Sequence, residues 1–197
     1  MYDASPSTMQ TEQTEYCSNS LYGMGKIAEN SLVRYYRNRG LFACTAILYN
    51  HESHRRSSDF VTKKIVENMV KVKREEIKQF TLGSLDAEKD WGYAGDYTEA
   101  MYLMQQNDIP KDYILATGKM HTISDFLEVC AEILELGDWK QYVVVDQRIV
   151  KRKIAGRLQG NSTLIEKELH WERKINFHKL VSEMIEYELG DNNVGLE

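Results

Sequence analysis

The sequence predicts an α/β protein whose mostly parallel sheet is incomplete. Two observations carry this. Short apolar strands alternate with amphipathic helices along the chain, the order that builds a parallel sheet covered by helices. Yet only three apolar strands belong to the main sheet, counting Met1–Ser5 as the stub of one.

In order, residues 8–20 are polar and read as a loop. From Tyr22 to Arg39 the apolar residues Ile27, Leu32, Tyr35 and Tyr36 recur at helical spacing, and Gly40 stops the helix. Phe42–Tyr49 is a continuous apolar run with branched and aromatic residues, the pattern of a strand buried on both faces. A second amphipathic helix covers Thr62–Glu76, and Phe80–Leu82 is a short strand closed by Gly83. Asp96–Gln106 reads as a helix ending before Pro110, and Tyr113–Thr117 as a buried strand. Ser124 is expected to cap a helix over Asp125–Leu136. Tyr142–Val145 is a strand, and helices follow over Ser162–Leu169 and His178–Leu189.

Composition narrows the class. With 197 residues, 28% charged and 42% hydrophobic, the chain can bury a core. Its net charge of −5 is spread over mixed acids and bases with no basic stripe, which argues against nucleic acid. No apolar run approaches the ~20 residues of a membrane span. Met1–Ser5 has neither a basic region nor an apolar leader. Cys17, Cys44 and Cys130 stand far apart in no metal-binding spacing and read as free thiols, so no metal is expected and the expected compartment is the cytoplasm.

The chemistry centres on Tyr22-Gly23-Met24-Gly25-Lys26. Residues four apart on a helix share a face. A cation beside a phenol favours the phenolate, whose ordinary pKa is about 10. Such a tyrosine can take a proton from a sugar hydroxyl while hydride leaves the same carbon. Tyr-x-x-x-Lys alone arises often by chance, with a packed tyrosine and a solvated lysine. Here it stands in an ordered series. Ser20–Lys26 is followed by Phe42-Ala43-Cys44, Leu48–Arg56 (LYNHESHRR), Phe60–Ile65, Leu82–Asp86, Asp90–Tyr97 (DWGYAGDY), Tyr113–Gly118 and Leu169-His170-Trp171.

That series resembles the GDP-mannose 4,6-dehydratase family of extended short-chain dehydrogenase/reductases, over roughly residues 1–190. Its most specific part is the Asn-His-Glu-Ser-x-Arg-Arg segment at Asn50–Arg56. The resemblance implies the C-terminal portion of an incomplete Rossmann-like sheet lacking its N-terminal half, with a small C-terminal α/β substrate-type lobe. As one partial domain over 1–197, about 1–62 would hold the sheet remnant and Tyr/Lys helix. About 63–197 would hold the lobe and returning sheet elements. Tyr22 would be the catalytic tyrosine, and Lys26 its partner and holder of the nicotinamide ribose. His51 and Arg56 match positions that contact NADP. Asn50, Lys89 and Lys151 fall on the substrate side. The family reaction oxidises the sugar at C4, eliminates water across C5 and C6, and returns hydride to C6.

The same resemblance exposes departures. The family's Ala-Ser-Thr-Ser-Glu segment, with its catalytic threonine and glutamate, matches Ala4-Ser5-Pro6-Ser7-Thr8. A register two residues later pairs Thr8 and Gln10 with them instead. Neither register supplies a carboxylate, which leaves Glu12 or Glu15 as substitutes. Lys89 and Lys151 stand where the family has arginines, keeping the charge but losing the bidentate fork. No Gly-rich turn between strand and helix is present to hold a pyrophosphate. The departures point to a non-catalytic structural or interaction subunit, with a protein partner over the exposed sheet edge near Phe42, Ile47 and Leu48. Two alternatives stay open: part of an active NADP-dependent enzyme completed by a separate N-terminal half, and a module that keeps a GDP-sugar or NADP site.

Overall fold

A computed structural model describes residues 1–2, 9–149 and 158–190. In chain order the elements are β1 (Met9–Gln10), α1 (Leu21–Arg37), β2 (Thr45–Leu48), β3 (Asn50–Glu52), α2 (Val61–Lys73), β4 (Phe80–Leu82) and β5 (Glu88–Lys89). There follow β6 (Trp91–Tyr93), α3 (Ala94–Gln106), β7 (Asp112–Leu115), β8 (His121–Thr122), α4 (Ile123–Ile133), β9 (Val143–Val145), β10 (Gln159–Gly160), α5 (Thr163–Leu169) and α6 (Phe177–Leu189). The chain forms two compact units. One takes Met1–His51, Lys89–Met120 and Ile154–Lys174; the other takes Glu52–Glu88, His121–Lys153 and Ile175–Glu197.

The first unit is built on β7, which pairs in parallel with β2 in the register Thr45↔Asp112 to Leu48↔Leu115. Successive side chains of a strand point to opposite faces. Tyr113 and Leu115 therefore enter one cluster with Tyr97, Ala100, Met104, Ile165 and Trp171. Ile114 and Ala116 enter the other, with Tyr2, Ile47 and Tyr49. Burial on both faces holds for β7. It fails for β2, where Leu48 is 40% exposed and Phe42, just before the strand, is exposed too.

Two further expectations are corrected here. The polar stretch after residue 8 contains β1, which pairs in parallel with β10. Its polarity hid it because Gln10 is fully buried, with its Oε1 accepting from the Tyr49 hydroxyl at 2.7 Å. The other concerns α1. It is a well-capped helix, since the Ser20 hydroxyl accepts from Gly23 N at 3.0 Å and Gly40 past its end has φ 91°. However, Leu32, Tyr35 and Tyr36 face solvent, and the buried positions are Gly23 and Asn30.

A polar anchor turns α1 this way. The Asp112 carboxylate, at the start of β7, pairs with Arg37 and lies 3.3 Å from Arg34 Nε. It also accepts from Asn30 Nδ2 at 3.3 Å and from Thr45 N at 3.1 Å. Asn30 Nδ2 also donates to Thr45 Oγ1 at 2.9 Å.

The second unit packs α2, α4 and α6 together beside a parallel pair, β4 and β9, in the register Phe80↔Val143 to Leu82↔Val145. Ile65, Val66 and Met69 of α2, Phe126 and Leu127 of α4, and Leu180 and Met184 of α6 are at most 1% exposed. The cap of α4 is Thr122, not Ser124: Thr122 Oγ1 accepts from Asp125 N at 3.0 Å and Asp125 Oδ2 accepts from Thr122 N at 2.7 Å. That reciprocal pair satisfies two donors at once, which a cap at Ser124 would not. Ser124 donates to Leu85 O at 3.4 Å instead. The strand expected at Met1–Ser5 lies mostly outside the described residues.

Two outcomes are expected. Leu127→Ala, at a fully buried site, should destabilise by about 2–5 kcal/mol in urea unfolding, and Leu48→Ala by less than about 1 kcal/mol. For Asp112, burial alone would raise the carboxyl, but the Arg37 guanidinium and the donors Asn30 and Thr45 hold it below its ordinary value. A depressed carboxyl contributes stability that is complete above the ordinary aspartate pKa of about 4 and is lost as the pH falls through the lower folded value. Asp112→Asn should cost about 3 kcal/mol at neutral pH and remove that part of the acid dependence, measured by urea unfolding across the acid range.

Candidate active site

The Asp112 anchor fixes the azimuth of α1 and with it the face that carries Tyr22 and Lys26. The two share a cavity of about 400 Å³ with Glu29, Thr45, Ile47 and Leu48. Lys26 Nζ lies 5.7 Å from the Tyr22 ring centroid, within reach of a cation–π contact. It also bonds Glu29 Oε2 at 2.8 Å. That carboxylate, one turn along the helix, raises the Lys26 pKa above its ordinary value. The Tyr22 side chain is 71% exposed, so its hydroxyl is open to a ligand.

The substitute carboxylates are placed elsewhere. Glu12 Oε1 accepts from Ile114 N at 2.9 Å. Glu12 and Glu15 line a separate recess of about 840 Å³ with Arg34, Arg37 and Lys111. Among the described residues, Glu29 is the carboxylate that shares the cavity with Tyr22.

The other predicted positions are distributed. His51, half-buried in the first unit, has Nδ1 2.9 Å from Tyr49 O and its ring 5.7 Å from that of Tyr97. Asn50 is exposed at the start of β3. Lys89 is half-buried on β5, and burial lowers its pKa. Lys151 lies outside the described residues.

Arg56 belongs to the second unit. Its Nε is 2.9 Å from Glu52 Oε2 and its guanidinium lies 3.5 Å from the Phe60 ring centroid. Glu52 is 2% exposed and also accepts from Thr62 Oγ1 at 2.8 Å. Burial raises the Glu52 carboxyl, and Thr62 and Arg56 offset only part of that rise. The structure thus brings Tyr22 and Lys26 together and adds two acids that the sequence reading passed over, Glu29 and Glu52. Glu29 was visible as an i,i+3 partner of Lys26 on one helix; Glu52 and Arg56 lie in a strand and the turn after it, where four-residue spacing carries no such signal.

A third buried acid shapes the first unit. Asp90, fully buried, accepts from Thr117 N at 2.8 Å, Thr117 Oγ1 at 2.5 Å, Gly118 N at 3.0 Å and Gly160 N at 3.2 Å. It ties the end of β7 to β10. Gly160 is required there: an added Cβ would lie 2.3 Å from Ala116 Cβ and 2.8 Å from the Tyr49 ring. Among the described residues no cluster of acids, histidines and cysteines could hold a metal ion. No helix among them is long and apolar enough to cross a membrane.

Comparison with known proteins gives this geometry its context. The sequence model of the family described as GDP-mannose 4,6 dehydratase matches residues 1–184. The chain is 41% identical over 181 residues to GDP-mannose 4,6 dehydratase 2 of Arabidopsis thaliana, covering 91% of this chain and 48% of that protein. It is 37% identical over 195 residues to GDP-mannose 4,6 dehydratase of Homo sapiens, covering 89% and 52%. The chain therefore spans about half the length of the curated relatives it matches. Among solved structures, RMD from Pseudomonas aeruginosa complexed with NADPH superposes with a TM-score of 0.80 at 17% identity, covering 92% of this chain and 60% of that one. dTDP-glucose 4,6-dehydratase from Bacillus anthracis in complex with NAD superposes with a TM-score of 0.78 at 18% identity, covering 95% and 57%. These structural likenesses establish the fold as a partial Rossmann-like α/β sheet. The sequence match, running through the Tyr22–Lys26 helix and the Asn50–Arg56 segment, establishes that the chain belongs to the GDP-mannose 4,6-dehydratase family.

Proposed function

We propose that this GDP-mannose 4,6-dehydratase-like chain does not carry out the dehydration by itself and acts as a structural or interaction subunit of a larger assembly. The observation that carries this reading is the state of the carboxylates around Tyr22. Loss of a proton from sugar C5 needs a free carboxylate base. Glu29 is bound to Lys26, and Glu12 is bound to Ile114 N in another part of the unit. The Tyr22–Lys26 pair supports a proton transfer at a sugar hydroxyl, while a partner for the second step is lacking among the described residues.

A second reading is favoured by Lys26, whose ammonium stands beside the Tyr22 ring as the oxidation step requires. In it the chain is the C-terminal part of an active NADP-dependent GDP-mannose 4,6-dehydratase completed by a separate N-terminal half. The residues present fit such a cofactor in part. Lys26 opens onto a cavity and would hold a ribose hydroxyl. Arg56 keeps its terminal nitrogens unbonded among the described residues and would hold a phosphate. His51 has Nδ1 occupied by Tyr49 O, leaving Nε2 for a ligand. When bound, the nicotinamide would accept and return hydride; the chain's share is to bind, to orient and to move the proton at Tyr22 Oη. Asn50 and Lys89 would meet the GDP-sugar, and Lys89, half-buried with no described anion beside it, suits a phosphate.

The partner surface we assign is the free edge of β2, which among the described residues pairs with β7 alone. Phe42 and Leu48 are exposed there; Ile47 is buried against Tyr49 and Ile114 and drops out of the surface. An unpaired strand edge with exposed apolar side chains invites another chain.

Incubation with GDP-mannose and NADP should yield no 4-keto-6-deoxymannose nucleotide above a protein-free control; its appearance overturns the first reading. Turnover restored by adding the N-terminal half of a relative decides for the second, and Tyr22→Phe should then lower the rate by about 10²–10⁴-fold. Sedimentation of the purified chain should show association with itself or a companion, whereas a stable monomer at micromolar concentration overturns the partner surface.

A further inference from the structure

We propose that Glu52 is a positioning residue that, with Phe60, holds the Arg56 guanidinium in one orientation so that its terminal nitrogens face outward to grip an anionic group of a nucleotide ligand. This deepens the cofactor reading above and rests on it for the identity of the ligand.

The device is assembled from Glu52, the turn after it and the first residues of α2, all within the second unit. Glu52 closes β3 with its carboxylate buried at 2% exposure. One side of that carboxylate is fixed by Thr62 Oγ1 at 2.8 Å, itself buried in the first turn of α2. Its Oε2 is also 2.9 Å from Arg56 Nε. Phe60, immediately before α2, lies under the guanidinium at 3.5 Å from the ring centroid. The guanidinium thus lies with its buried Nε against that carboxylate as an ion pair, with no hydrogen bond from Nε, and is supported on one face. No described residue accepts from Nη1 or Nη2. Those two nitrogens form the parallel fork that matches a phosphate or carboxylate.

An arginine that merely stabilised the fold would be expected to spend its fork on the buried acid. Here the buried acid lies against Nε as an ion pair without a hydrogen bond from it, and no described residue accepts from the fork. A buried ion pair is in general weak evidence for stability, because desolvation offsets its attraction. The pKa of Glu52 points the same way, since burial raises it despite Arg56 and Thr62. Fixing a planar donor in advance is a role that such a pair can fill, by lowering the entropy lost when an anion binds.

The test follows Arg56 itself as well as a ligand. Phenylglyoxal modification of the folded chain, read by mass spectrometry, should be slow at Arg56 and about tenfold faster in Glu52→Gln, the factor set by losing one charge-assisted contact of about 1.4 kcal/mol. The solvent-exposed Arg148 serves as the control and should react equally in both. The Arg56 Nε–H proton resonance should be sharp in the parent chain and broadened or absent in the variant. Should Glu52→Gln not fold, Phe60→Ala at a half-exposed position carries the same measurement. Binding of NADP, followed by fluorescence or calorimetry, should weaken in parallel while the melting temperature of Phe60→Ala stays close to that of the parent. Equal Arg56 reactivity and an unchanged Nε–H signal in the variants overturn the positioning role. Absence of NADP binding to the parent chain, with Arg56 nonetheless ordered by Glu52, overturns the cofactor reading and leaves the positioning role standing.

Discussion

Asp112 is the constraint on which the candidate site depends. It sits at the first position of the most buried strand of its unit and gathers Arg34, Arg37 and Asn30 from α1 together with the backbone of Thr45. A helix lying on a sheet can rotate about its own axis unless something resists it, and apolar contacts are non-directional. Here the resistance is polar and directional. Three residues spaced along one side of α1 converge on one carboxylate, so only one azimuth satisfies them. Tyr22 and Lys26 inherit their direction from that choice. The apolar residues Leu32, Tyr35 and Tyr36 are turned outward by the same choice.

Asp90 has a comparable part at the other end of the strand, with a different chemistry. It meets no cation among its bonds; backbone amides and a hydroxyl neutralise it. Amides from Thr117, Gly118 and Gly160 can converge on one carboxylate only if the chain passes closely there, and Gly160 permits that approach. Asp112 orients a helix against the sheet, and Asp90 binds two backbone segments at its edge. Between them the ends of β7 are held by charge while its middle is held by burial.

The two basic residues proposed to meet a ligand differ in how firmly they are held. The Lys26–Glu29 pair is a surface contact on one helix, with both side chains well exposed, and such pairs contribute about 0–1 kcal/mol. Lys26 is therefore free to leave Glu29 for a hydroxyl. Arg56 lies against a buried acid, a contact that Lys26 lacks, and over an aromatic ring.

By itself the sequence determined the family, the alternation of strands and helices, and the pairing of Tyr22 with Lys26. Each is a local or ordered property of the chain: residues four apart on a helix share a face in any fold, and the Asn50–Arg56 segment is specific as a string. Periodicity placed α1, α2, α3 and the buried strand β7 within a few residues of their observed bounds. Capping was less legible, because Ser124 and Thr122 are both good caps and the reciprocal bond to Asp125 chose between them. What only the tertiary structure decided is which face of each element turns inward. Ile27, Leu32, Tyr35 and Tyr36 make an apolar pattern that reads as core, but Asn30 and the two arginines found Asp112, more than seventy residues away in sequence, and drew the polar side in. Glu12 was likewise free to serve Tyr22 until the amide of Ile114, unpaired by β2, claimed its carboxylate. Long-range polar partners of this kind leave no periodic trace, since the residues that satisfy one another are brought together only by the fold.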